Sequence, residues 1–264
     1  MKKRIIPIFT YKNNVLVKSV NFSNYRNVNS ILPAIKLFNK RNIDEMIFLN
    51  LDENIDFNLL ESFVNETDYP ISYGGGVNDI ETMRKIFNIG FDKICLNSLL
   101  YNNSELIRHS CETFGKQSIV ASIDTKKIDN DYYCFYNNAK INSKITIEEH
   151  LNNIIDNDFI AEVIVTNIDR EGTFSGFDTN LYEKLKDLKI RILPNGGGNF
   201  NQENIINTLK INNIYGLCFS SLFFFKQYTP NDIKKILFEN DIGCVNYFSS
   251  KNQVISSKGN SGSL

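Results

Sequence analysis

Histidine is scarce: only His109 and His150 occur among 264 residues. Both fall in helical patterns among polar neighbours, which disfavours serine–histidine hydrolysis and histidine-rich metal sites. Cysteine is thin as well. The five thiols (Cys95, Cys111, Cys134, Cys218, Cys244) are scattered, odd in number and without a Cys-x-x-Cys pair, which argues against a disulfide framework or a zinc site. Cys95 and Cys218 sit inside apolar runs, where a free thiol serves as a small hydrophobe. No metal and no cofactor is expected. Excess charge is missing too: 29 Lys and Arg against 30 Asp and Glu leave a net charge of −1. Bulk electrostatics therefore offer nothing to nucleic acid or to an anionic membrane. No apolar run approaches the roughly 20 residues that span a bilayer. The start, Met1-Lys-Lys-Arg-Ile-Ile-Pro, lacks a signal-peptide core and cleavage site. The expectation is a cytoplasmic protein with no membrane segment.

What the chain does have is one device written twice. Gly74-Gly75-Gly76 follows an apolar run, leads into a helical stretch, and is answered by Lys93-Ile-Cys-Leu ending in Asn97-Ser98. Gly196-Gly197-Gly198 does the same and is answered by Gly216-Leu-Cys-Phe ending in Ser220-Ser221. The interval from Gly75 to Asn97 is 22 residues and that from Gly197 to Ser220 is 23. A bare glycine turn lets backbone N–H groups approach an anion, and the next helix N-terminus and hydroxyls complete the grip. Two such grips suggest a ligand with a phosphate at each end. A tight strand-to-helix turn without a ligand would explain one triple glycine, but a matched pair favours phosphate.

Eight short apolar runs read as strands: Arg4–Phe9, Met46–Leu49, Ile71–Tyr73, Ile94–Leu96, Ser118–Ile123, Val163–Thr166, Arg191–Leu193 and Gly216–Phe219. Helical patterns follow nearly all of them, including Ile31–Asn39, Asp79–Asn88, Ser104–Phe114, Ile147–Ile155, Asn201–Leu209 and Asn231–Phe238. Eight strand–helix alternations in a chain of this length predict an α/β fold, a (β/α)8 TIM barrel over residues 1–244. A doubly wound open sheet is the competitor, but it carries one glycine-rich site at its switch point rather than two. The repeat reaches further: Phe48-Leu-Asn-Leu-Asp52 resembles Val165-Thr-Asn-Ile-Asp169, as expected of two half-barrel repeats. Extra hairpin-like stretches, Lys12–Phe22 and Asp131–Asn142, follow the first and fifth strands on the face where barrel active sites lie. Residues 245–264, rich in Ser, Asn, Gly and Lys, are expected to form a disordered tail.

At this point the residues resemble a known family. Lys3-Arg-Ile-Ile-Pro, Val17-Lys18 with Asn21-Phe22, Asp44-Glu45-Met-Ile-Phe-Leu, Gly74-Gly-Gly-Val, Asp92-Lys93-Ile-Cys-Leu-Asn97-Ser98, Asp124-Thr-Lys and Asn167-Ile-Asp-Arg-Glu-Gly-Thr173-x-x-Gly176-x-Asp178 are all similar to HisF, the cyclase subunit of imidazole glycerol phosphate synthase. The resemblance covers about residues 3 to 243. It implies a barrel that receives ammonia from a HisH-like glutaminase, as a heterodimer, and passes it to a phosphorylated small molecule at the far mouth. The implied phosphate-binding positions are Gly75, Gly76, Asn97 and Ser98 on one side, and Gly196, Gly197, Ser220 and Ser221 on the other. The implied ammonia gate is Arg4, Glu45, Lys93 and Glu162, each standing before or at the start of an apolar run.

The chain departs from the family at one decisive place. Ring closure in HisF rests on aspartates ending strands one and five; Asp124 matches the second, but Thr10 stands at the first. A threonine hydroxyl has no pKa near neutrality and cannot act as general acid or base. The family's strand-two aspartate is Asn50, with Asp52 two residues on, and its aspartate after strand six is Glu171. Leu222-Phe-Phe-Phe lines the edge after strand eight with large rings. This pattern resembles the second-copy HisF-like proteins of surface-polysaccharide gene clusters. That resemblance implies ammonia delivery to an ATP-dependent sugar amidotransferase making an acetamidino sugar. The alternatives are a genuine cyclase of histidine biosynthesis and a scaffold that binds a phosphorylated metabolite without chemistry.

Overall fold

A computed structural model describes residues 2–245, 247–248 and 254–255. All eight expected strands are present: β1 Arg4–Lys12, β2 Met46–Asn50, β3 Ile71–Gly74, β4 Lys93–Leu96, β5 Ile119–Ile128, β6 Glu162–Asn167, β7 Arg191–Asn195 and β8 Gly216–Phe219. They are short runs of Ile, Val, Leu and Phe because both faces of a parallel sheet are covered; every residue of β6 is buried. Each strand from β1 to β6 pairs in parallel with the next, and β8 returns to β1 with Ile5 opposite Leu217. The last seam, between β7 and β8, is a single bridge from Ile192 to Ile214, with the Tyr215 N–H donating to the Ile192 carbonyl at 3.1 Å. The chain is a (β/α)8 barrel.

The half-barrel repeat is visible in the hairpins. β1 runs on into an antiparallel pair, Val15–Val20 with Ser23–Ser30. β5 does the same with Asp131–Tyr136 and Ile141–Thr146. Both stand on the C-terminal face, and the first extends eight residues beyond the stretch read from sequence.

The six expected helices form within one residue of their predicted ends. Their starts are set by side chains that satisfy free N–H groups: Asp79 accepts from the Thr82 N–H at 2.7 Å, and Thr229 with Asp232 makes a reciprocal capping box behind Pro230. The sequence pattern does not predict helices Phe57–Glu66 and Thr179–Lys184, nor the single turns Leu99–Asn102 and Leu222–Phe225. The first was readable, since Asp56 caps it at 3.1 Å and Leu60 and Phe63 form its buried face.

Two apolar layers result. Outside the barrel, Phe9, Phe38, Phe48 and Phe63 pack ring to ring at 4.6–5.1 Å, each fully buried ring contributing about 1.5–3 kcal/mol. Inside, Ile6, Ile8, Ile47, Cys95, Val120, Ile164, Leu193 and Cys218 fill the lumen. At the lower rim, Lys234 is fully buried and donates to Asp44 at 2.7 Å and Asn42 at 3.2 Å. Asp44 also accepts the Ile5 N–H at 2.8 Å, tying helix Pro230–Glu239 to the start of the barrel. Most of the expected tail lies outside the described residues; within it, Tyr247–Phe248 pairs antiparallel with Val254–Ile255.

Candidate functional site

Because the strands are parallel, residues at their starts share one end of the barrel and residues at their ends share the other. Arg4, Lys93 and Glu162 open β1, β4 and β6, and Glu45 immediately precedes β2. They meet as a ring of alternating charge. Arg4 donates to Glu45 at 2.8 Å and to Glu162; Lys93 donates to both Glu45 oxygens at 3.0 and 3.1 Å and to Glu162 at 3.2 Å. Ser72 adds a donor to Glu45 at 2.7 Å. Burial works against each charge, yet the partners win: Arg4 and Lys93 are raised by the two glutamates, and Glu162 is lowered by Arg4 and Lys93. From Arg4 to Ile8, the first lumen residue of β1 to line the upper cavity, is four residues, about 13 Å.

At the other end the lumen opens into a cavity of about 440 Å³ lined by Ile8, Thr10, Leu49, Asp124, Thr166 and Glu171 among others. Asp124, at the end of the barrel stretch of β5, is buried and pushed up to about 7, first by burial and then by Glu171, while a bond from Asn97 opposes. Asn97 donates to Asp124 at 3.2 Å and to the Ser122 carbonyl at 2.7 Å. One amide bond thus holds Asp124, and the other fixes the amide itself on the Ser122 carbonyl. Thr10 lines the same cavity.

Glu171 is buried in the loop after β6 and accepts from Ser19 Oγ at 2.9 Å. Burial raises its carboxyl, against Ser19 and Lys18. The Asn21 N–H donates to the Glu171 carbonyl at 3.0 Å, so the first hairpin is clasped to this loop. Lys18, in the same hairpin, carries its ammonium into a fully buried position. It donates to the Ile8 carbonyl at 2.8 Å and Ser220 Oγ at 2.6 Å beneath the Phe224 ring. Burial lowers it to about 7, with Glu171 opposing. Sequence reasoning gave Lys18 no role; a lysine in an exposed-looking hairpin carries no sign that it will fold inward.

The two glycine cradles differ. The first, Gly75, Gly76 and Ser98, opens into the large cavity, and a Cβ on Gly75 would stand 2.1 Å from the Asn50 carbonyl oxygen. The second, Gly196, Gly197, Gly198, Ser220 and Ser221, encloses about 10 Å³. Ser221 Oγ is buried there without a hydrogen-bond partner.

The remaining departures have structural explanations. Asn50 donates to Tyr73 Oη at 3.2 Å and to the Asn54 carbonyl at 3.0 Å, two bonds a carboxylate could not donate. Asp52 accepts the Asn13 N–H at 2.7 Å and is not among the residues that line the mouth. Asp178 knots the loop after β6 by accepting from Tyr132 Oη and Asn167, each at 2.8 Å. Of the Phe run, Phe223 and Phe224 pack on Phe38 while Phe225 is half exposed. His150 is buried and stacked on Tyr101 at 4.6 Å, held near 4 by burial, away from the mouth's lining residues. Among the described residues, no group of three or more His, Cys, Asp or Glu is placed to hold a metal ion, and no helix is long and apolar enough to cross a membrane.

Residues 4–229 match the family described as "Histidine biosynthesis protein". A protein of Campylobacter jejuni with the provisional name imidazole glycerol phosphate synthase subunit hisF2 is 33% identical over 242 residues, covering 90% of this chain and 96% of the relative. A provisionally named subunit HisF of Leptospira interrogans is 31% identical, covering 86% and 91%. The imidazole glycerol phosphate synthase subunit HisF of a Thermotoga species is 28% identical, covering 90% and 95%.

Proposed function

The chain belongs to the histidine biosynthesis protein family as a HisF-type barrel, and from that premise we propose that it is the ammonia-receiving subunit of a glutamine-dependent synthase, paired with a HisH-like glutaminase at its lower face. The observation that carries this is the fully satisfied ring of Arg4, Glu45, Lys93 and Glu162 at one end of an apolar lumen. Four charges that neutralise one another hold the strand ends together without presenting net charge to a neutral molecule. Ammonia, uncharged and water-sized, needs only small side-chain shifts to cross about 13 Å of Ile, Val, Leu and Cys. The packed lumen meanwhile keeps bulk water out.

At the upper mouth Thr10 cannot move a proton, so Asp124 stands without the second carboxylate that cyclisation uses in the family. This favours onward delivery of ammonia to an acceptor enzyme, an ATP-dependent sugar amidotransferase, over ring closure in situ. The first cradle would hold a phosphate of the ligand on the Gly75–Gly76 backbone and Ser98.

A second reading, a genuine imidazole glycerol phosphate synthase cyclase, is favoured by one feature. Asp124, near 7, is well matched to trade protons at neutral pH. Two experiments separate the readings. The chain should co-purify with a glutaminase and produce ammonia-dependent product only when the acceptor enzyme is added. It should also fail to rescue a histidine auxotroph lacking its cyclase, and vigorous rescue would refute onward delivery.

A further inference from the structure

The two cradles share a plan but differ in room. The second, at about 10 Å³, holds roughly one water, whereas a phosphate brings four oxygens. Phe174, in the loop after β6, is one of the residues that wall it, beside Gly196, Gly197 and Gly198. The ring is held in place: Lys226 Nζ lies 5.2 Å from its centroid, and Asn199 donates to the Phe174 carbonyl at 3.1 Å. The backbone at Phe174 is left-handed, with φ +57°. A bulky residue adopts that conformation only where its surroundings fix it. They do so here: Thr173 and Ser175 hydroxyls bond at 2.7 Å, Arg170 donates to the Gly176 carbonyl at 3.0 Å, and the Gly176 N–H donates to the Gly197 carbonyl at 2.8 Å.

Charge points the same way. Glu171 lines this cradle as well as the large cavity, and a phosphate brought beside its carboxylate would meet like charge in a buried setting. Lys18, whose ammonium meets Ser220 of this cradle, already spends bonds on Ile8 and Ser220. The Ser221 hydroxyl, buried in this cradle, has no hydrogen-bond partner.

We propose that Phe174 shuts the second cradle to phosphate, so that the ligand of this chain is a phosphate monoester gripped at the first cradle and not a molecule phosphorylated at both ends. This rests on the reading of the first cradle as a phosphate site given under Proposed function. It makes Phe174 a specificity determinant and sets the chain apart from any enzyme that uses both cradles on a bisphosphate.

The test counts inorganic phosphate bound per chain at saturation by equilibrium dialysis, with circular dichroism and urea midpoints as folding controls. Wild type should bind one phosphate, and Ser98→Ala should weaken it about tenfold or more. Phe174→Gly, which keeps the left-handed backbone and removes the ring, should bind two. Ser221→Ala in that background should return the count to one. Two phosphates on wild type, or an unchanged count in Phe174→Gly, would overturn the proposal. No phosphate on wild type but one on Phe174→Gly would leave the plug standing and sink the first-cradle reading instead.

Discussion

The two ends of the barrel carry similar residue types in opposite states. At the lower end two cations and two anions satisfy one another within 3.2 Å. At the upper end Asp124 and Glu171 are both raised by burial, Lys18 is lowered by it, and Ser221 has no partner. A charge-paired network makes a rigid frame, whereas buried groups without a paired opposite charge keep the capacity to bind or to trade protons. On the proposed function, the contrast puts passage at one end and chemistry or ligand recognition at the other.

The sharpest way to break it is at the ring. Glu162→Gln leaves Arg4 and Lys93 sharing Glu45 alone, with one buried positive charge uncompensated. The loss should be about 2–4 kcal/mol, below the full range for buried pairs because the two cations are a fifth exposed. Urea unfolding reads it. Glutamine-dependent transfer should fall further than transfer from added ammonium salt, since only the former uses the lower face. Equal losses would deny the ring a part in passage.

Asp124→Asn probes the other end, and its effect on stability has the opposite sign. The folded carboxyl titrates near 7 against about 3.8 in the unfolded chain. The folded state therefore holds the extra proton between those values, and wild-type stability falls as pH rises from about 4 to 7. The variant should lose that fall and be more stable at pH 8, on the order of 1–3 kcal/mol, while Asn97 keeps an acceptor. A wild-type curve flat across this window would place Asp124 in water.

Lys18→Met removes a lowered group, so the sign reverses again. With its folded value near 7 and its unfolded value near 10.5, the unfolded chain holds the extra proton between them. Wild-type stability should rise from pH 7 to 10, and Lys18→Met should abolish the rise. Together the two variants would give the mouth opposing slopes that no lower-end substitution reproduces.

How much of this could be read from sequence divides along the same line. The strands, six helices and hairpin positions were legible because periodicity is a local signal, and the four ring residues came from the family resemblance, each standing at or just before a strand start. The upper end was not, because its state depends on loops folding inward. Nothing in Val15–Val20 says that Lys18 will reach Ile8 and Ser220. Nothing in Gly-Thr-Phe-Ser-Gly says that Phe174 will sit in a cradle twenty-odd residues away. Asn97, which the family resemblance makes a phosphate ligand, lines the cavity beside the first cradle and also donates to Asp124, a bond the spacing does not announce.

The smallest expected effect concerns Asn50, where the family resemblance leads one to expect a carboxylate. Asn50→Asp keeps the acceptor for the Asp52 N–H at 2.9 Å but loses both donors, to Tyr73 Oη and the Asn54 carbonyl. The tyrosine hydroxyl can turn and donate to the new oxygen; the carbonyl cannot, and would face a carboxylate in a nearly buried site. The net cost should be about 1–2 kcal/mol at pH 7. It should shrink toward pH 4, where a protonated carboxyl regains a donor and stability is restored as pH falls. Urea midpoints at the two pH values measure this directly. If Asn50→Asp is neutral at both, the amide has no structural duty, and the exchange at strand two must then be read, like Thr10 at strand one, as a change in the chemistry of the mouth.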